Sequence, residues 1–198
     1  MPLDAATVLS LAATCAPGVA PATLLAVARV ESGLDPLAIG VNGPARETPR
    51  PRDAQEAVRA AQSLIRAGRN VDLGLSQINS RNLPALGLSL ADAFDPCTNL
   101  RASARILAAG YRAAPSPSPQ ARLRVALSVY NTGHPERGFA NGYVAKVVGA
   151  AGFADPLLAI RQPTLKPVRV RAAWSVFAGS PDAADHPFVL SFSTGDRP

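Results

Sequence analysis

Three places in the chain put a polar group where the local pattern calls for an apolar one. Between Pro21 and Gly33, Leu24, Val27 and Ala28 recur at helical spacing, and the next position on that stripe is Glu31. A carboxyl group there faces two penalties on its ionised form, burial and the partial negative charge of a helix C-terminus. Both hold the proton on above the usual pKa of about 4.3, which describes a general acid. The plainer alternative is a helix that frays at Val30 and leaves Glu31 exposed. The second place is the run from Val71 to Asn79, where alternation sets Val71, Leu73 and Leu75 on one face and then gives the inward position to Gln77 and the outward one to Ile78. Either an amide is aimed inward at a bulge or the strand ends at Leu75. The third is Tyr130-Asn131, closing the apolar stripe Leu123, Ala126, Leu127 just before the helix stop Thr132-Gly133. Here the alternative is a core tyrosine followed by an exposed turn.

The elements that must hold these groups can be read from stop and start signals. Asp4 caps a first helix reaching Ala16, with Val8, Leu11 and Ala12 on one stripe, expected to lie beside the Glu31 helix. Pro21 and Gly33 bracket the second. A Pro/Arg-rich loop runs to Arg52, and a helix follows over 53–67, with Asp53 and Glu56 in capping-box spacing and Val58, Ala61 and Ile65 inward. Ser89 to Phe94 reads as a helical turn. Asp95-Pro96 opens a helix to about Tyr111, Ser118 caps the helix that ends in Tyr130, and Tyr143 to Ala151 forms the last, with Val144, Val147 and Val148 inward. The fold class is therefore mainly α with a small β element.

Two domains of texture are expected, a folded part over 1–154 and an extended arm over 155–198. The arm is broken by repeated prolines yet holds Trp174, Phe177, Phe188 and Phe192, so it packs on the domain or docks on a partner. Of the formal net charge of +6, the first part carries 15 basic against 10 acidic groups. That excess favours polyanions. Nucleic acid is disfavoured, because the basic residues are scattered and only 5% of residues are aromatic. No apolar run approaches the roughly 18 residues of a membrane span, and no export signal is evident at the start. His134 and His186 lack the companions a zinc site needs, so neither metal nor cofactor is expected. Cys15 and Cys97 are either buried thiols or a disulfide closing a loop of about 80 residues, worth roughly 4 to 5 kcal/mol in the chain-entropy model.

Taken in order, Glu31-Ser32, Gly74-Leu75-Ser76-Gln77-Ile78-Asn79 and Ala126-x-x-x-Tyr130-Asn131-x-Gly133 resemble the lysozyme-like lytic transglycosylases. Cys-Ala-Pro at 15–17 and Ala-Ile-Gly-Val-Asn at 38–42 are similar to the specialised members that serve type IV secretion systems. The resemblance covers about residues 5–152 and implies a lysozyme-like domain acting on peptidoglycan in the periplasm. It implies that Glu31 is the single acid/base, with substrate contacts at Ser32, Gly74, Leu75, Ser76, Gln77, Asn79, Tyr130, Asn131 and Tyr143. Residues 155–198 would then meet secretion-system subunits. Ser76 departs from the Met common in the family's Gly-Leu-Met-Gln. Two rival readings remain: a lysozyme-type hydrolase using Asp72 or Asp35 as second carboxylate, and a peptidoglycan-binding assembly protein without turnover.

Overall fold

The computed structural model describes residues 1–43 and 48–152. The expectations for the arm at 155–198, and for His186, lie outside the described residues.

Helix α1 (Ala5–Cys15) and helix α2 (Pro21–Ser32) pack against each other, joined by a short Pro/Gly-containing connection. Asp4 caps α1 by accepting the Thr7 N–H, and α2 ends at Gly33, whose φ of 64° is the left-handed conformation that stops a helix. Strand β1 (Ile39–Val41) follows, then α3 (Ala54–Arg66), β2 (Val71–Leu73) and β3 (Ile78–Asn79). The three strands form an antiparallel sheet in the order β1-β2-β3, with Ile39 opposite Leu73 and Leu73 opposite Ile78. Short helices α4 (Leu83–Leu86) and α5 (Leu90–Phe94) lead to α6 (Pro96–Ala113), and α7 (Pro119–Thr132), α8 (Arg137–Ala140) and α9 (Tyr143–Ala150) complete the described chain.

Two hydrophobic cores result, and α6 serves both. Its Leu100, Ala104 and Leu107 pack with α1, α2, α7 and α9, whereas Ala102 and Ile106 pack with the sheet, α3, α4 and α5. Tyr130 touches both cores, so it marks the seam between the helical and the sheet-bearing halves.

The sheet differs from the expectation in an informative way. The run from Val71 does not continue to Asn79 as one strand. Gly74 (φ 71°) and Gln77 (φ 50°) are both left-handed and reverse the chain, so Ile78 returns inward, 1% exposed, instead of pointing out. A side chain at Gly74 would in addition collide with the Ala93 carbonyl. In α3 Ala57 and Ala61 are buried and Val58 packs partly buried against the same core, as expected of Val58 and Ala61, whereas Ile65 stands exposed. The Glu56 carboxylate accepts the Arg52 N–H, one residue before the cap, so the expected capping box is completed one position early. Strand β1 and helices α4 and α8 are too short to leave a period in the sequence.

A disulfide joins Cys15 at the end of α1 to Cys97 in the first turn of α6, with Cα atoms 5.4 Å apart and a sequence separation of 82. Replacing both cysteines by serine is expected to lower the unfolding free energy by about 2 to 4 kcal/mol, because the denatured chain regains the entropy of that long loop. The check is the shift in denaturant midpoint at constant slope.

Candidate active site

The end of α2, the turn at 74–77, the end of α7 and the start of α9 converge at the seam. Glu31, in the last turn of α2, is half-buried, not enclosed. The Tyr143 phenol, from the first residue of α9, donates to Glu31 Oε1 at 2.6 Å. Burial, with the Glu31 charge second, holds that phenol well above its ordinary pKa. Tyr143 is therefore a neutral hydrogen-bond donor throughout the usable pH range.

Tyr130 is shifted upward for the same two reasons in the same order. Its hydroxyl lies 2.8 Å from the Ser76 carbonyl oxygen and 3.0 Å from Ser103 Oγ. A carbonyl can only accept, so the phenol donates to Ser76 and accepts from Ser103. Tyr130 thus pins the 74–77 turn to α7 and α6. Ser32 makes a second pin, its hydroxyl donating to the Leu75 carbonyl at 2.6 Å and tying the Glu31 helix to the same turn.

The turn itself is held from below by Asn99, which is fully buried. Its Nδ2 donates to the carbonyls of Leu73 (3.0 Å) and Ala93 (2.7 Å), and its Oδ1 accepts the Ser76 N–H (2.8 Å). Leu75 fills the helical core, and Ser76 is fully buried, its Oγ without a partner among the described residues. The Gln77 amide donates to the carbonyls of Ala38 (3.2 Å) and Gly74 (3.0 Å), which fastens β1 over the turn. A Cβ at Gly40 would lie 2.6 Å from Gln77 Oε1, so the glycine lets β1 pass close to that amide.

The residues expected to touch substrate therefore divide in two. Glu31, Tyr143 and Asn131 are brought to one end of the seam, since Asn131 Oδ1 accepts from Asn141, two residues before Tyr143. Ser32, Gly74, Leu75, Ser76, Gln77 and Tyr130 build the frame that fixes this end. Asn79 is engaged elsewhere, donating to Asp72 Oδ1 (2.7 Å) and accepting the Arg81 N–H. Asp72 accepts on its other oxygen from Asn42 (2.9 Å), so the carboxylate bridges the edges of the sheet. Asp35 Oδ1 accepts the Leu37 N–H in a local turn. His134 is a turn residue whose Nδ1 accepts the Glu136 N–H, and no group of three His, Cys, Asp or Glu side chains that could hold a metal occurs among the described residues.

Sequence reasoning passed over Asn99, Ser103 and Asn141. The signal for the first two was a polar pair at i, i+4 on α6, off the line of its exposed arginines Arg101, Arg105 and Arg112. For Asn141 it was the Asn-Gly pair directly before a helix.

Tyr143→Phe is expected to reduce turnover at this site by about tenfold to a hundredfold, the worth of a hydrogen bond to a charged group, with little loss of stability. Initial rates, alongside thermal unfolding, check this.

The chain matches the transglycosylase SLT domain over residues 9–148. It is 43% identical over 161 residues to Protein virB1 of Agrobacterium fabrum (strain C58 / ATCC 33970), an overlap of 81% of this chain and 65% of that protein. It is 41% identical over 179 residues to Type IV secretion system protein virB1 of Brucella suis biovar 1 (strain 1330), covering 89% of this chain and 71% of that protein. A further relative, Protein virB1 of Rhizobium radiobacter, is 41% identical over 178 residues. No solved structure matches the chain. Described helices include none long and apolar enough to cross a membrane. The matched span takes in the acid-bearing end of α2, the 74–77 turn and the Tyr143 phenol, and the chain belongs to the transglycosylase SLT domain family.

Proposed function

We propose that this protein is a peptidoglycan lytic transglycosylase that cleaves the β-1,4 bond between N-acetylmuramoyl and N-acetylglucosaminyl units and leaves a 1,6-anhydro end. The observation that carries the reading is the Tyr143 phenol donating to Glu31 at the seam, where α2, the 74–77 turn, α7 and α9 meet, while Asp72 and Asp35 are engaged by amide and backbone donors away from it.

One carboxyl group suffices if the substrate supplies the nucleophiles. Glu31 protonates the glycosidic oxygen as its bond to C1 breaks, and the N-acetyl oxygen shields C1. The carboxylate then takes the proton of the muramoyl 6-hydroxyl as that oxygen bonds to C1, which restores the acid without water. The frame around the 74–77 turn keeps Glu31 and Tyr143 in place during both proton transfers.

The name of the Brucella suis relative places that protein in a type IV secretion system, and the same setting is our reading here: local opening of the wall in the periplasm for a secretion apparatus, with residues 155–198 meeting other subunits. The positive excess of the first part suits an acidic wall. Mass analysis of muropeptides released from purified peptidoglycan tests the chemistry. Anhydro-muramoyl ends are expected, and reducing ends carrying an added water would replace this reading with that of a hydrolase.

A further inference from the structure

One side chain outside every expected substrate contact decides what the site offers to a sugar. Asn141 lies between α8 and α9, and its Oδ1 accepts the Tyr143 N–H at 3.0 Å. A backbone N–H can only donate, so this bond fixes which way round the Asn141 carboxamide lies. Its Nδ2 must then face Asn131, and it donates to Asn131 Oδ1 at 2.9 Å. The Asn131 amide is fixed in turn. Its oxygen points to Asn141, and its Nδ2, with no partner among the described residues, is the half that remains for a ligand on this half-exposed residue.

We propose that Asn141 locks the hydrogen-bonding sense of Asn131, so that the site presents a donor there and selects a substrate acceptor, the carbonyl oxygen of an N-acetyl group on the glycan. The chemistry of the substrate makes the sense matter. An N-acetyl group carries one N–H and one strongly accepting carbonyl oxygen, and an amide presented the wrong way round would set oxygen against oxygen. Asn141 is a positioning residue in this scheme, since it acts through Asn131, and the same side chain seats the first residue of α9, which carries the Tyr143 phenol to Glu31. The inference rests on the reading of the site as one that binds N-acetylated glycan.

Asn141→Asp separates these roles. An aspartate keeps an oxygen for the Tyr143 N–H and so keeps the seat of α9, but it has no hydrogen to give Asn131. The Asn131 amide then turns to donate to the new carboxylate and shows its own oxygen to the ligand. Equilibrium affinity for a tetramer of N-acetylglucosamine, measured by calorimetry, is expected to fall by about tenfold to a hundredfold, with an unchanged thermal midpoint. Asn131→Asp, which also turns an oxygen outward, should show a similar loss. For the same tetramer stripped of its N-acetyl groups, the ratio of variant to unaltered affinity should be close to one. Unchanged tetramer affinity in Asn141→Asp would overturn the lock, as would a loss explained by a lowered thermal midpoint. An equal loss for both tetramers would overturn the assignment to the N-acetyl carbonyl. Since this measurement does not depend on turnover, an absence of anhydro products would count against the proposed reaction and not against the lock.

Discussion

Glu31→Gln is expected to lower turnover on purified peptidoglycan by about a thousandfold, within the range of 10² to 10⁴ attributed to a positioned acid/base. The substitution is nearly isosteric, and an amide oxygen can still accept from the Tyr143 phenol, so the local geometry should survive. What it lacks is a transferable proton in the first step and a base in the second. Because Glu31 is half-buried at a helix end and not enclosed in a core, its loss should shift the thermal midpoint by little. Binding of glycan should persist. Rates of release of soluble muropeptides, normalised to wall-bound protein, separate the two effects. Substantial turnover in the variant would remove Glu31 from the reaction.

The second large effect is structural. Asn99→Leu is expected to cost at least about 4 kcal/mol, more than removal of the disulfide, because it strands three buried backbone groups at once. The carbonyls of Leu73 and Ala93 lose their donor and the Ser76 N–H loses its acceptor, in a place with no exposed surface from which water could replace them. Leucine has a similar volume, so cavity formation does not confuse the result. The same change releases the 74–77 turn, and with it the carbonyls that receive Tyr130 and Ser32. Activity at a temperature where the variant is still folded should therefore also fall. Denaturant unfolding gives the first quantity and clearing rates give the second; a variant as stable as the unaltered protein would show that Asn99 does not hold the turn.

Legibility in the sequence followed locality. Helix ends written in single residues, such as Asp4, Pro21, Gly33, Asp95 and Ser118, could be read because a cap acts within one turn of itself. Glu31 could be placed for the same reason: it occupies one position of a stripe whose other members are apolar. The hairpin could not, because Gln77 sits in a left-handed conformation that its residue type does not favour and that only the surrounding bonds enforce. Nor could the division of labour among the polar residues. Tyr130 and Tyr143 look alike as tyrosines near helix ends, yet one donates to a backbone carbonyl and the other to the acid, a difference created by partners 54 and 112 residues away in the chain. Asn99 was hidden because α6 buries two faces, so its exposed stripe of Arg101, Arg105 and Arg112 does not tell which core an inward residue meets.

Digestion of purified peptidoglycan in water enriched in heavy oxygen puts the central claim, that Glu31 works with a substrate hydroxyl and no water, to its most direct test. If the claim holds, the muramoyl ends released carry no heavy oxygen and are lighter by one water than reducing ends. Ends that take up the label, and do so only when Glu31 is intact, would contradict it.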